Sequence, residues 1–170
     1  MPRRKNRSEP CVCHTDLVLQ GAAVTALSRD ETALLQQRWR DTFGAGLAKA
    51  AGISLSDQKG CDWHVFSSGL VRRLEGEEAV AAYRARNHTE LVVLPCSRTS
   101  LRGARCRCSA VPWLDSHGDV YLCPESFAWT MVFTHEKGWL GPYFCRASWV
   151  AARGRGGWVR SGQGPGEPRG

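Results

Sequence analysis

Residues 129–135 alternate in the way that successive side chains of a β-strand point to opposite faces, and this pattern restricts the fold strongly. Lys137 and Gly138 then supply a turn, and Tyr143 opens a second short apolar stretch. The sequence therefore predicts an aromatic β-hairpin within residues 127–144. One face of its first strand would carry Trp129, Met131, Phe133 and His135, and the other face would carry Thr130, Val132 and Thr134.

Two helices precede this hairpin. Ser28 and Glu31 have the spacing of a capping box, which satisfies free backbone N–H groups at a helix start. The second helix is predicted over 75–86, where glutamates at the start and arginines at the end complement the helix dipole. Leu35, Trp39 and Phe43 supply the apolar stripe of the first helix, and short apolar runs predict further strands at 63–66, 91–94 and 120–123.

This order of elements predicts an α+β fold, with a small mixed or largely antiparallel sheet and two or more helices packed on one face. We expect a basic, disordered segment over 1–27 and a single α+β domain over 28–150. Within that domain, an Arg-rich loop is expected at 96–110. The Gly, Arg and Pro content of 151–170 predicts a disordered tail. The chain has no apolar run of the ~20 residues that a membrane helix needs, so no membrane association is expected.

The net charge of +7 raises the question of nucleic-acid binding. The segments 1–10, 98–108 and 146–170 carry +3, +4 and +4, so the rest of the chain carries −4. The positive charge thus lies in the two ends and a predicted loop, which favours solvated basic segments over a nucleic-acid-binding face. The alternative is weak nucleic-acid binding through Arg98, Arg102, Arg105 and Arg107.

The eight cysteines include no C-x-x-C motif, so a zinc ribbon or a thioredoxin-type site is not indicated. Two C-x-C pairs, Cys11 with Cys13 and Cys106 with Cys108, could supply zinc ligands together with His14. One intervening residue is short for zinc chelation, so we favour reduced thiols, no cofactor and a cytoplasmic location.

Three residues are candidates for catalysis. His64 and His135 could converge if their strands lie close together, and with Glu136 or Asp62 they could bind a metal or act as acid and base. Alternation would place His135 and Glu136 on opposite faces of a strand, and the H-E-x-x-H zinc motif is not completed after His135. Both histidines are therefore also interpreted as structural residues, and no metal site is expected.

Four residues are candidates for protein binding. Trp139 follows a glycine turn and is expected to be exposed, and Tyr143 lies nearby in the sequence. Glu77 and Glu78 could meet a basic partner, although acidic residues at a helix start also stabilise the helix dipole.

Four blocks of residues stand out in the chain. They are Trp-His-x-Phe-Ser from residue 63, Leu-Glu-Gly-Glu-Glu-Ala from 74, Trp-Thr-x-x-x-Thr-His-Glu from 129 and Gly-Pro-Tyr-Phe from 141. Together they resemble a bacterial family of small uncharacterised proteins, known as a domain of unknown function. The resemblance covers residues 30–146 and implies no reaction.

Because the chain has no P-loop, no G-x-S-x-G and no flanked G-x-G-x-x-G, the sequence favours a non-enzymatic domain that binds another protein. A metal-binding protein or a hydrolase-like enzyme using His64 and His135 is the second hypothesis.

Overall fold

A computed structural model describes residues 11–44, 62–69, 71–87, 90–96, 101–114, 118–136 and 138–151. Within these ranges the chain forms five helices and seven strands. The helices are α1 (His14–Leu19), α2 (Arg29–Phe43), α3 (His64–Ser67), α4 (Gly76–Arg84) and α5 (Ala147–Ala151). The strands are β1 (Ala23–Ala26), β2 (Leu74–Glu75), β3 (Glu90–Pro95), β4 (Ala104–Arg107), β5 (Val120–Cys123), β6 (Trp129–Phe133) and β7 (Tyr143–Arg146).

The strands form one antiparallel sheet in the order β1-β4-β3-β5-β6-β7-β2. The predicted hairpin is its β6–β7 pair, in which Met131 lies opposite Phe144 and Val132 opposite Tyr143. The α+β class and the antiparallel sheet are therefore confirmed.

Both faces of the sheet are buried, because alternate side chains of its central strands belong to two separate hydrophobic cores. On one face, Leu17 of α1 and Tyr83 of α4 pack with Met131. On the other face, Trp39 of α2 and Phe66 of α3 pack with Val132. Helices thus lie on both faces of the sheet, whereas the sequence predicted them on one.

Helix α2 is placed by features that the sequence predicted. The Ser28 side chain accepts a hydrogen bond from Glu31 N–H at 3.1 Å, and the Glu31 carboxylate accepts one from Ser28 N–H at 2.9 Å. Trp39, on the buried stripe, stacks on Tyr121 with ring centroids 4.4 Å apart. Its indole N–H donates to Thr130 Oγ1 at 2.9 Å. The helix is thereby joined to the centre of the sheet.

The strand predicted at 63–66 is wrong, since these residues begin the helical turn α3. Phe66 N–H donates to the Trp63 carbonyl at 2.9 Å, as in a tight helical turn. Trp63 and Phe66 are both fully buried, and in a strand two residues three apart would point to opposite faces. A segment of four residues, Trp-His-Val-Phe, fits either structure, so its period could not decide between a strand and a helical turn.

Two predicted irregular segments also contain regular structure. Residues 11–27, part of the segment predicted to be disordered over 1–27, form α1 and β1, and Leu17 and Leu27 are buried. The first ten residues and 152–170 lie outside the described residues. The loop predicted at 96–110 contains β4, in which Ala104 and Cys106 are buried while Arg105 and Arg107 are exposed. The sequence of β4 therefore alternates apolar and charged residues, as in a half-buried strand, provided that cysteine is counted as apolar.

Candidate functional site

The turn between β6 and β7 presents the most exposed large apolar side chain in the described part of the protein. Trp139 is 89% exposed. The carbonyl of Glu136 accepts hydrogen bonds from the N–H groups of Trp139 and Leu140, at 3.0 and 2.9 Å. The Thr134 hydroxyl donates to the Leu140 carbonyl. These hydrogen bonds join residues on both sides of the turn, and the indole of Trp139 extends into solvent, as the sequence led us to expect.

Gly141 ends this turn, and only glycine suits its position. Its φ is +84°, a region that other residues adopt only with strain. A Cβ there would lie 3.1 Å from Thr134 Cγ2. The path of the turn depends on this glycine.

A groove of about 530 Å³ lies between the turn and α4, and its lining includes Gly138, the residue before Trp139 in the chain. Most of its lining residues are small or apolar, and Trp113 and Arg84 also line it. The Arg84 guanidinium lies 5.5 Å from the centre of the Trp113 ring. The lining residues are Gly76, Glu77, Val80, Ala81, Arg84, Trp113, Gly138, Gly141 and Pro142. We call the groove and the Trp139 side chain together the Trp139 surface.

The glutamates at the start of α4 border this surface. Glu77 lines the groove, Glu78 follows it, and both side chains are exposed. Within the described ranges, neither carboxylate forms an ion pair with a basic side chain. The neighbouring Glu75 contacts Arg73 at 3.4 Å. One end of the groove is therefore acidic, while its Arg84 end is basic.

Tyr143, predicted to bind alongside Trp139, does not reach the surface. It is fully buried and packs between Trp63 and Phe66, with ring centroids 6.0 and 5.9 Å away. Burial, and then the charge of Glu75, raise the pKa of Tyr143 to about 12. A residue of a β-strand faces one side of the sheet, and Tyr143 faces the α2 core, so its contribution is to packing.

His135 is held by Asp119, a residue that the sequence reasoning did not single out. The His135 backbone N–H donates to Asp119 Oδ1 at 3.0 Å, and ring Nδ1 lies 2.9 and 3.0 Å from the two carboxylate oxygens. The Asp119 side chain is 9% exposed and the imidazole 55% exposed. The hydrogen bond and charge of Asp119 raise the pKa of His135 above its ordinary value.

The register of the β5–β6 hairpin explains this pairing. Val120 lies opposite Phe133, so the residue before β5 approaches the residues that follow β6. The same arrangement brings Glu136 near the other ring nitrogen, with its Oε1 3.7 Å from His135 Nε2. His135 is thus flanked by two carboxylates.

The two histidines predicted to converge both contact Trp63. The His64 ring is tilted by 31° to the Trp63 ring, with centroids 4.0 Å apart, while the His135 ring meets Trp63 edge-on at 6.3 Å. Asp62, a suggested partner of the pair, forms an ion pair with Arg40 at 3.3 Å. Across the described ranges, no three His, Cys, Asp or Glu side chains are arranged to hold a metal ion.

The two C-x-C pairs meet in the same part of the fold. Cys13, Cys106 and Cys108 belong to one buried cluster, and Cys11 Sγ lies 3.4 Å from His14 Nδ1. The seven cysteines in the described ranges are buried free thiols. Burial raises the pKa of the Cys13 thiol to about 12, which disfavours the reactive thiolate.

The arginines considered for nucleic-acid binding are partly neutralised. Arg105 contacts Glu31 at 3.2 Å and also Glu125, and Arg107 contacts Glu90. Arg98 lies outside the described residues. The exposed arginines of β4 are therefore interleaved with carboxylates and do not form a continuous basic face.

The fold and the Trp139 surface define a small α+β domain with an exposed aromatic residue beside a groove. The chain matches the model of a domain of unknown function, DUF4275, over residues 17–144 and belongs to that family. The predicted membership in a family without an assigned reaction is confirmed. Neither the curated proteins nor the solved structures contain a match to this chain. None of the described helices has both the length and the apolar character needed to cross a membrane.

Proposed function

We propose that this chain is a non-enzymatic protein-binding domain of the bacterial cytoplasm and that it binds through the Trp139 surface. The observation that carries the proposal is the 89% exposure of Trp139, which directly follows a residue of the groove lining, Gly138. An isolated indole in water is unfavourable, and tryptophan is enriched among the residues that dominate protein interfaces. The buried free cysteines are consistent with a reducing compartment.

The geometry of the turn supports a binding role over a packing role. The hydrogen bonds of Glu136 and Thr134 fix the backbone before a partner arrives, which reduces the entropy lost on binding. The groove offers the apolar lining that a partner side chain needs, and Gly138, which lines it, precedes Trp139 in the chain. Trp139 and the groove can therefore contact one partner together.

Affinity capture with matched variants tests the proposal. Immobilised wild-type protein, Trp139→Ala and Leu34→Ala would be compared by quantitative mass spectrometry of the retained proteins. Leu34 is a suitable control because it is 70% exposed on α2, away from the groove. We expect proteins that the wild type and Leu34→Ala retain and that Trp139→Ala loses. Equal retention by all three would contradict binding through Trp139.

A second candidate function, general acid–base catalysis, rests on the Asp119–His135 pair. A buried carboxylate that holds Nδ1 orients an imidazole, and the half-exposed ring remains accessible to a substrate. Chromogenic ester and phosphate substrates would be assayed with the wild type and with His135→Gln. Turnover that the variant loses would support catalysis, and equal background rates would argue against it.

A further inference from the structure

We infer that the partner segment recognised by the Trp139 surface is basic, with a Lys or Arg beside Glu77 and Glu78 and an apolar side chain on the groove floor. This inference rests on the proposed protein-binding function and deepens it. It follows from the free carboxylates of Glu77 and Glu78, from the apolar lining of the groove and from the position of Arg84.

The acidic end of the groove supplies the charge complementarity. Glu77 and Glu78 are exposed and form no ion pair within the described ranges. The dipole of α4 stabilises carboxylates at its first turn, but it leaves their outer oxygens free for a second interaction. These carboxylate oxygens can accept hydrogen bonds from the ammonium or guanidinium group of a partner.

The floor of the groove places an apolar side chain next to that cation. Val80 and Ala81 lie one turn along α4 from Glu77, and Pro142 lines the same groove. These residues offer no charge to a partner, so a leucine or an aromatic ring is the side chain that they accommodate.

Arg84, at the other end of α4, favours one orientation of the bound segment over the other. Arg84 lies seven residues after Glu77, which corresponds to roughly 10 Å along a helix. A cationic residue would be repelled there and attracted at the Glu77 end. A basic residue on one side of the apolar anchor should therefore bind more tightly than the same residue on the other side.

A synthetic peptide array tests this inference. The probes are ten-residue peptides with a central Leu or Trp, in which Lys, Ser or Glu is placed at each other position. We expect the wild type to retain peptides with Lys on one side of the centre and to reject those with Glu there. The double variant Glu77→Gln/Glu78→Gln should bind the retained peptides about two- to thirtyfold more weakly at low salt, the loss expected for two exposed ion pairs. Added salt should reduce this difference.

Asp30→Asn is the matched control, because Asp30 is also an exposed carboxylate in the first turn of a helix, α2. It should leave retention unchanged. Retention that needs Trp139 but shows no preference for Lys, or that survives the double glutamine variant, would overturn the inference and leave the proposed function standing. Equal retention by the wild type and Trp139→Ala, or retention of no peptide, would overturn both.

A second copy of the chain is the other occupant that the groove could accept. Light scattering of the purified protein distinguishes this case. We expect a mass that stays constant with concentration. A dimer that forms at high concentration and is lost in Trp139→Ala would show that the groove binds another copy, and it would overturn the inference of a basic partner.

Discussion

Replacing Trp139 with alanine should leave the stability of the domain almost unchanged. With 89% of the residue exposed, only about a tenth of the ~250 Å² of a tryptophan side chain is removed from water. At ~25 cal/mol per Å², that contact contributes ~0.6 kcal/mol. Urea unfolding followed by circular dichroism should show a midpoint shift of ~0.3 M, given a slope of ~2 kcal/mol/M.

Trp39→Ala provides the contrast, since Trp39 is 1% exposed and stacks on Tyr121. Loss of a buried tryptophan should cost ~3–5 kcal/mol, several times the effect at Trp139. If Trp139→Ala instead lowered the free energy of unfolding by more than ~2 kcal/mol, the indole would be a packing residue, and its interpretation as a binding residue would be refuted.

The remaining predictions concern Asp119 and Gly103. Asp119→Asn should lower the pKa of His135 towards its ordinary value, as an NMR titration of the ring protons would show. In the wild type, the Asp119–His135 pair stabilises the fold fully below pH ~6.5, and this contribution is lost as the pH rises through the raised pKa of His135. The stability of the variant should therefore lose that pH dependence. An unchanged titration of His135 in the variant would contradict the pairing. Gly103→Ala should lower the free energy of unfolding by ~1–3 kcal/mol, because its Cβ would lie 2.9 Å from the Val93 carbonyl oxygen; a wild-type urea midpoint would show that the contact relaxes freely.

Local patterns in the sequence predicted much of the fold. The alternation after Trp129 gave the β6 strand, and the spacing of Ser28 and Glu31 gave the start of α2. The strand pattern is informative because it extends over enough residues to define a period. The capping-box spacing is informative because it corresponds to a specific hydrogen-bond arrangement. The segment that begins at Trp63 was too short for its period to distinguish a helical turn from a strand.

The pairing of distant segments was the part that could not be predicted. The partners of His135 depend on which strand lies beside β6, and the sequence does not state that order. Asp119 was missed for this reason, and Tyr143 was assigned to the surface although its strand faces the core. The exposure of Trp139 was predicted correctly, because a residue beside a glycine turn tends to lie at the surface whichever strands pair around it.

Photo-crosslinking from position 139 tests the central claim most directly. In one variant of the full chain, expressed in cells, a photoreactive phenylalanine analogue would replace Trp139. In a second variant of the same chain, the analogue would replace Leu34, which is 70% exposed. We predict a discrete crosslinked protein on irradiation at position 139 and none at position 34. No crosslink at position 139, or the same products from both positions, would contradict the proposal that the Trp139 surface binds a protein partner.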